Sequence, residues 1–297
     1  MDKSNIGAPV FIMGTQRSGT TLLTRVLSAH PDMFMQNELA LPKIFTPNAS
    51  KQQIIDAIKA QILDENGFSL EEVMEQGNKR VWGLKDPQLT EHIDALRQFL
   101  PESKFIKIVR DGRGVTNSYM ENKWGLGTNA YYGAQRWDRE VNEQLEFMQE
   151  APENFLFIRY EDMVDDIADA MQKVCAHLDV PYLEEMVNYD QKSSYYEKKR
   201  ENVHTFKKPD KKLAEKWRHR LSSFEIDVVE LVAKDTLTKL GYELIGKPVK
   251  LSAWQMFYFK WHQKILGEIQ IQYRWRKAAF KEKWRKMSGK RNEIPQS

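Results

Sequence analysis

Residues 9–27 read PVFIMGTQRSGTTLLTRVL, and this stretch constrains the fold more than any other. The apolar run Val10–Met13 stops at Gly14, and beyond Gly19 an apolar-periodic segment follows at Leu22–Leu27. A buried strand, a glycine-bounded turn and a helix in that order make a loop that can close on an anion. The glycines let backbone N–H groups approach it, and the helix start adds unmet amides and the positive end of its dipole. Thr20 and Thr21 add hydroxyl donors, and Arg17 adds a forked cation inside the turn. A nucleoside-triphosphate loop needs Lys after its second glycine and an acidic strand end for its metal. Here Thr20 follows Gly19, and the run Phe105–Val109 ends in Arg110 before Asp111. The expected ligand is an anion held without metal.

Further short apolar runs lie at Met33–Met35, Val81–Leu84, Phe105–Val109 and Phe155–Ile158. Between them, helical periodicity covers Gln52–Leu63, Thr90–Phe99, a segment from about Gly114, Tyr132–Gln149 and Ile167–Leu178. Strands alternating with helices predict an α/β fold of three layers, a parallel sheet covered on both faces. The polar stretch from Tyr189 to Asp210 reads as a long loop, of the kind that in compact domains is functional or disordered. Helices resume at Lys212–Arg220 and Phe224–Leu240, with Gly241 suited to the helix end. This predicts a catalytic domain over 1–245 and a basic, aromatic-rich helical appendage over 246–297. Within the appendage IQIQYRWR also alternates like a strand.

The chain has 297 residues and a net charge of only +3, so it is no polycation overall. Its single cysteine, Cys175, excludes an intramolecular disulfide and suits a reducing compartment. The first residues lack a secretory pattern, and no run of about 20 apolar residues occurs, so a cytoplasmic, soluble or peripheral protein is expected. Between Lys260 and Arg291 eleven Lys and Arg face two acids, Glu268 and Glu282, with Trp261, Ile265, Ile269, Tyr273, Phe280 and Trp284 at helical spacing. Such a segment suits an anionic membrane surface, and equally suits packing on the catalytic domain. No groove-reading motif accompanies it, and nucleic acid is not an expected partner.

GTQRSGTT followed by LSAHPDM, LKDP and KFIKIVRDGRGVTNSY resembles, in content and order, the sulfotransferases that use 3′-phosphoadenosine 5′-phosphosulfate (PAPS). The likeness runs from about Ala8 to Leu244 and is to the branch of protein-tyrosine, carbohydrate-type and bacterial enzymes. It implies a P-loop-type α/β/α fold and a metal-independent in-line transfer that releases PAP. By that resemblance Arg17, Ser18, Gly19, Thr20 and Thr21 hold the 5′-phosphosulfate, while Arg110 and Ser118 hold the 3′-phosphate. Lys85 stands near the bridging oxygen, Glu38 is the general base, and Tyr160 contacts the nucleotide. Lys208 belongs to the late basic segment over the cofactor. His30 reads as structural. Ser193 and Ser194 fall where the tyrosine-sulfating branch has a serine, with no register decided. A departure is Asn122, where that branch has arginine, with Lys123 beside it. The acceptor is a hydroxyl, expected on a carbohydrate or lipid-linked molecule, with tyrosyl and small alcohols also open. Acceptor-binding loops are expected within Ala40–Gly77 and Lys123–Trp137. A P-loop kinase or NTPase and a non-catalytic PAP- or PAPS-binding protein at a membrane are the alternatives.

Overall fold

The computed structural model describes residues 6–191 and 208–288. The chain divides into two compact units, the first made of 6–109 and 143–191 with 208–211, the second of 110–142 and 212–288.

The first unit is built on a five-stranded parallel sheet: β1 (Val10–Met13), β2 (Met33–Asn37), β3 (Val81–Lys85), β4 (Phe105–Val109) and β5 (Phe155–Arg159), in the order β2-β3-β1-β4-β5. The alternation of side chains along β1 explains the layering. Val10 and Ile12 join one core with Leu23, Val26 and Leu27 of the helix Thr20–Leu27 and with Met171 and Val174 of the helix Ile167–Leu178. Phe11 and Met13 join another core with Ile54, Ile58 and Ile62, the buried stripe of the helix Lys51–Asn66. Both faces of the sheet are thus covered, which is why its strands read as continuous apolar runs. On the second face Phe11 stacks on Phe105 at 5.3 Å, and Phe105 on Phe155 at 4.7 Å.

Several boundaries differ from the sequence expectation. β2 reaches Asn37 and β3 includes Lys85, because each extends by pairing with the other, Asn37 opposite Lys85. The helix expected at Thr90–Phe99 is three short pieces, Pro87–His92, Ile93–Leu96 and Arg97–Phe99, the first a 3₁₀ turn started by a proline. Lys212–Arg220 likewise splits into Lys211–Ala214 and Trp217–Arg220. The span Ala40–Gly77 holds more regular structure than the single helix expected at Gln52–Leu63. It folds largely into helices, the longer two started by capping boxes at Ser50/Gln53 and Ser69/Glu72.

In the second unit the helix Gly112–Asn122 packs with Ser223–Lys239. Arg113 is nearly inaccessible and bridges Asp111 (Nη2 to Oδ2, 2.7 Å) and Glu230 (Nη1 to Oε1, 2.6 Å), with its guanidinium 4.2 Å from the Trp217 ring centre. Trp137 is buried and donates to the Arg110 carbonyl at 3.1 Å. It is a core residue of this unit. The C-terminal segment is one continuous helix, Ala253–Ser288, so the helical period prevails over the local alternation of IQIQYRWR. One side of it is fastened to residues 125–129: Gln270 accepts from the Gly125 amide at 2.9 Å, Gln263 from the Thr128 amide at 2.8 Å, and the Phe259 carbonyl from Asn129 at 3.1 Å. Gly125 has φ 79° and a side chain there would press within 2.6 Å of the Gly267 carbonyl, so this junction requires glycine.

Candidate active site

In a parallel sheet all strands end on one edge, where ligands of open α/β sheets bind. The chain places its chemistry there: the glycine loop after β1, Glu38 after β2, Lys85 at the end of β3 and Tyr160 after β5. The loop is tightened by Thr15 and Ser18, whose hydroxyls lie 2.5 Å apart while the Ser18 amide donates to the Thr15 carbonyl at 3.1 Å. Arg17 takes the left-handed conformation, φ 73°, inside the turn. Gly19 precedes the helix Thr20–Leu27 at φ 95°, with no side chain capping the first amides and no acid in the first turn. That is the donor set a bound anion requires. A Cβ on Gly19 would run into the Tyr160 ring, so the loop's second glycine and this tyrosine are one packing unit.

Lys85 is fully buried, and its ammonium is shared between two partners. It donates to Glu38 Oε1 at 2.6 Å and to Thr21 Oγ1 at 3.1 Å. It is therefore not a solvated strand-end charge. Glu38 is held on the other side by its backbone, whose amide donates to the Lys85 carbonyl at 2.9 Å, continuing the β2–β3 ladder by one residue. Its carboxylate is about half exposed, 48%, while Lys85 is sealed. A cation fixed beside the start of the helix Thr20–Leu27 thus holds a carboxylate that is open to solvent.

Next to them Asp86 is buried and caps the turn Pro87–His92, accepting from the Gln88 amide at 2.8 Å. Burial pushes its carboxyl up to about 7 and the Glu38 charge adds to this, against the Gln88 amide, the Lys85 charge and the Leu39 amide. His30, the other conceivable base, is buried in a structural role. It accepts from the Asp32 amide on Nδ1 (3.0 Å), which makes Nε2 the donor to the Pro181 carbonyl (2.8 Å).

Lys208 donates to Asn188 Oδ1 at 3.3 Å. Ser193 and Ser194 lie outside the described residues.

The second unit opens with Arg110. Its guanidinium lies along the start of the helix Gly112–Asn122, where a side chain at Gly114 would come within 3.2 Å of Nε, and it donates to the Leu213 carbonyl at 3.0 Å. Ser118 sits four residues beyond Gly114, on the same helix face. Asn122 donates to the Ser118 hydroxyl at 3.0 Å and Lys123 ends the helix at φ 54°. Sequence reading did not single out Arg113. Its signal was an arginine between two glycines in DGRG, and it engages the Asp111 carboxylate that would otherwise follow the strand end as a free acid.

The match to the sulfotransferase family spans residues 9–185, more than half of the chain, from just before β1 to well past Tyr160. The chain belongs to this family. It is 27% identical over 198 residues to a protein-tyrosine sulfotransferase candidate of Caenorhabditis briggsae, covering 63% of this chain and 70% of that one. To protein-tyrosine sulfotransferase 1 of Danio rerio it is 26% identical over 198 residues, 61% of this chain and 56% of the relative. The alignments thus cover 56–70% of the length of these two relatives. Among solved structures, the sulfotransferase domain from the curacin biosynthetic pathway superposes with a TM-score of 0.55 at 23% identity, covering 80% of this chain and 99% of that domain. At that identity the likeness bears on the fold, and it agrees with the three-layer α/β sheet described above. The expectation of a sulfotransferase-family enzyme is met, and the kinase or NTPase alternative has no support.

Proposed function

We propose that the chain transfers the sulfuryl group of PAPS to a hydroxyl acceptor. The observation that carries this reading is the buried Lys85, held between Glu38 and Thr21 beside the glycine loop. The donors fit the ligand: uncapped amides after Gly19, the hydroxyls of Ser18, Thr20 and Thr21, and two cations, Arg17 and Lys85.

Arg17, Ser18, Gly19, Thr20 and Thr21 hold the 5′-phosphosulfate, and Tyr160 packs against the loop to fix its shape. Arg110 and Ser118 take the 3′-phosphate, with Lys208 adding charge from the late basic segment. Sulfuryl transfer asks for alignment of two oxygens and for charge stabilisation on the leaving phosphate. Lys85 and Arg17 supply that charge as donors, without a metal ion. Glu38 removes the acceptor's hydroxyl proton, and Lys85 positions its carboxylate through the 2.6 Å ion pair. A product left with two phosphates, PAP, departs from the same donors.

The relatives' names make a tyrosyl hydroxyl the first acceptor to try, with carbohydrate, glycolipid and small-alcohol hydroxyls after it. The test is incubation with ³⁵S-labelled PAPS and acidic tyrosine peptides, then lysate fractions, in the presence of EDTA. The expected result is label on a hydroxyl and one PAP formed per sulfate transferred. No transfer to any fraction, with PAP still bound tightly, would favour a non-catalytic nucleotide-binding role.

A further inference from the structure

Ten of the fourteen exposed large apolar side chains among the described residues belong to the single helix Ala253–Ser288. Its inner side is occupied by Phe259, Gln263, Gly267 and Gln270, which fasten it to residues 125–129. On the opposite side Trp254, Tyr258, Trp261, Ile265, Ile269 and Tyr273 recur every three or four residues, all exposed. Trp254 is 72% and Trp275 70% accessible, values unusual for tryptophan in a soluble fold. The helix packs on its own unit and also presents an apolar face, so the two sequence expectations for the appendage are compatible.

We propose that this face lies flat on an anionic phospholipid bilayer. Three observations select that occupant. The exposed side chains are mainly Trp, Tyr and Phe, whose rings have an apolar body and, in Trp and Tyr, a polar edge suited to the headgroup level. The charge is complementary, with eleven Lys and Arg against two acids between 260 and 291. Lys264 flanks the stripe with its ammonium 5.2 Å from the Trp261 ring, where its stem can reach the interface. The helix is about 54 Å long, yet no described helix is long and apolar enough to cross a membrane, so this one lies on the surface. A second copy of the chain is a poorer fit. Continuing the heptad from Trp254, Tyr258, Trp261 and Ile265 brings Glu268 and Gln272 into the seam, and two copies would oppose like charges.

The test uses the full chain and extruded vesicles of phosphatidylcholine, with and without about a third phosphatidylserine. Co-sedimentation with the anionic vesicles alone is expected, weakening at high salt, together with a blue shift of tryptophan fluorescence. Trp261→Ser with Ile265→Ser and Ile269→Ser, all at exposed positions, should reduce partitioning at least about tenfold. Lys264→Gln with Arg276→Gln should reduce it about thirtyfold at low salt. Circular dichroism and PAP binding should stay unchanged in both variants. Absence of vesicle binding by a folded monomer, equal binding to neutral vesicles, or partitioning that survives the stripe variant would overturn the proposal. So would a stable dimer, measured by analytical ultracentrifugation, that the stripe variant dissociates.

Discussion

Two buried lysines stand on the strands either side of β1 and meet opposite surroundings. Lys85 ends β3 and points to the face covered by the helix Thr20–Leu27, where Glu38 and Thr21 receive its ammonium. Lys107 sits in the middle of β4 and shares the parity of Phe105, which lies in the other core. It meets a neutral amide, Gln144 Oε1 at 2.6 Å, which in turn donates to Thr90 at 2.6 Å. Burial without a counter-charge brings the Lys107 pKa down to about 7. The lysine at the strand end, paired with a half-open carboxylate, is the one for which a charge-stabilising role is proposed. A lysine in mid-strand, closed among amides and hydroxyls, serves packing and polar satisfaction.

The largest effect is expected where the first lysine meets its partner. Glu38→Gln should lower turnover by about 10²–10⁴ in ³⁵S transfer with little change in PAP affinity, the result for a lost general base. Lys85→Met should cost about 10²–10³ in turnover, as for the loss of one charge-stabilising donor, whereas Lys107→Met should leave activity within a few-fold. Equal losses at the two lysines would mean that the Glu38 partner gives Lys85 no role beyond that of Lys107.

Asp86 separates the sites by pH. With a folded pKa near 7 against 3.8 for the unbound group, it stays protonated in the folded chain while the unfolded chain ionises. Stability therefore falls as pH rises from about 4 to 7, and Asp86→Asn should flatten that part of the melting-temperature profile. Lys107 gives the opposite trend, of similar size. The unfolded chain holds its proton up to about 10 while the folded one releases it near 7, so stability rises with pH across that window, and Lys107→Met removes the slope.

The parallel sheet was legible because each strand is an uninterrupted apolar run between turn signals; Val10–Met13 and Ile167–Leu178 match the observed elements residue for residue. The strand-end positions of the glycine loop, Glu38 and Lys85 were legible for the same reason. The helix Leu70–Gln76 was not, although Ser69 and Glu72 form a capping box, because seven residues carry too little periodicity. Lys107 could not be told from an ordinary alternating residue in FIKIV, since Gln144 and Thr90 come from distant segments. The burial of Trp137 against Gly112 escaped notice because the close approach depends on a missing side chain rather than on one present.

The proposed function requires that the loop without a lysine after Gly19 grip a nucleotide carrying a 3′-phosphate with no metal. Calorimetric titration with PAP and with ADP, both in EDTA, tests it most directly. PAP should bind about a hundredfold or more tighter if, as proposed, Arg110 and Ser118 make charge-assisted contacts to the 3′-phosphate that ADP cannot offer. Equal affinities, or ATP with magnesium binding better than PAP, would contradict it.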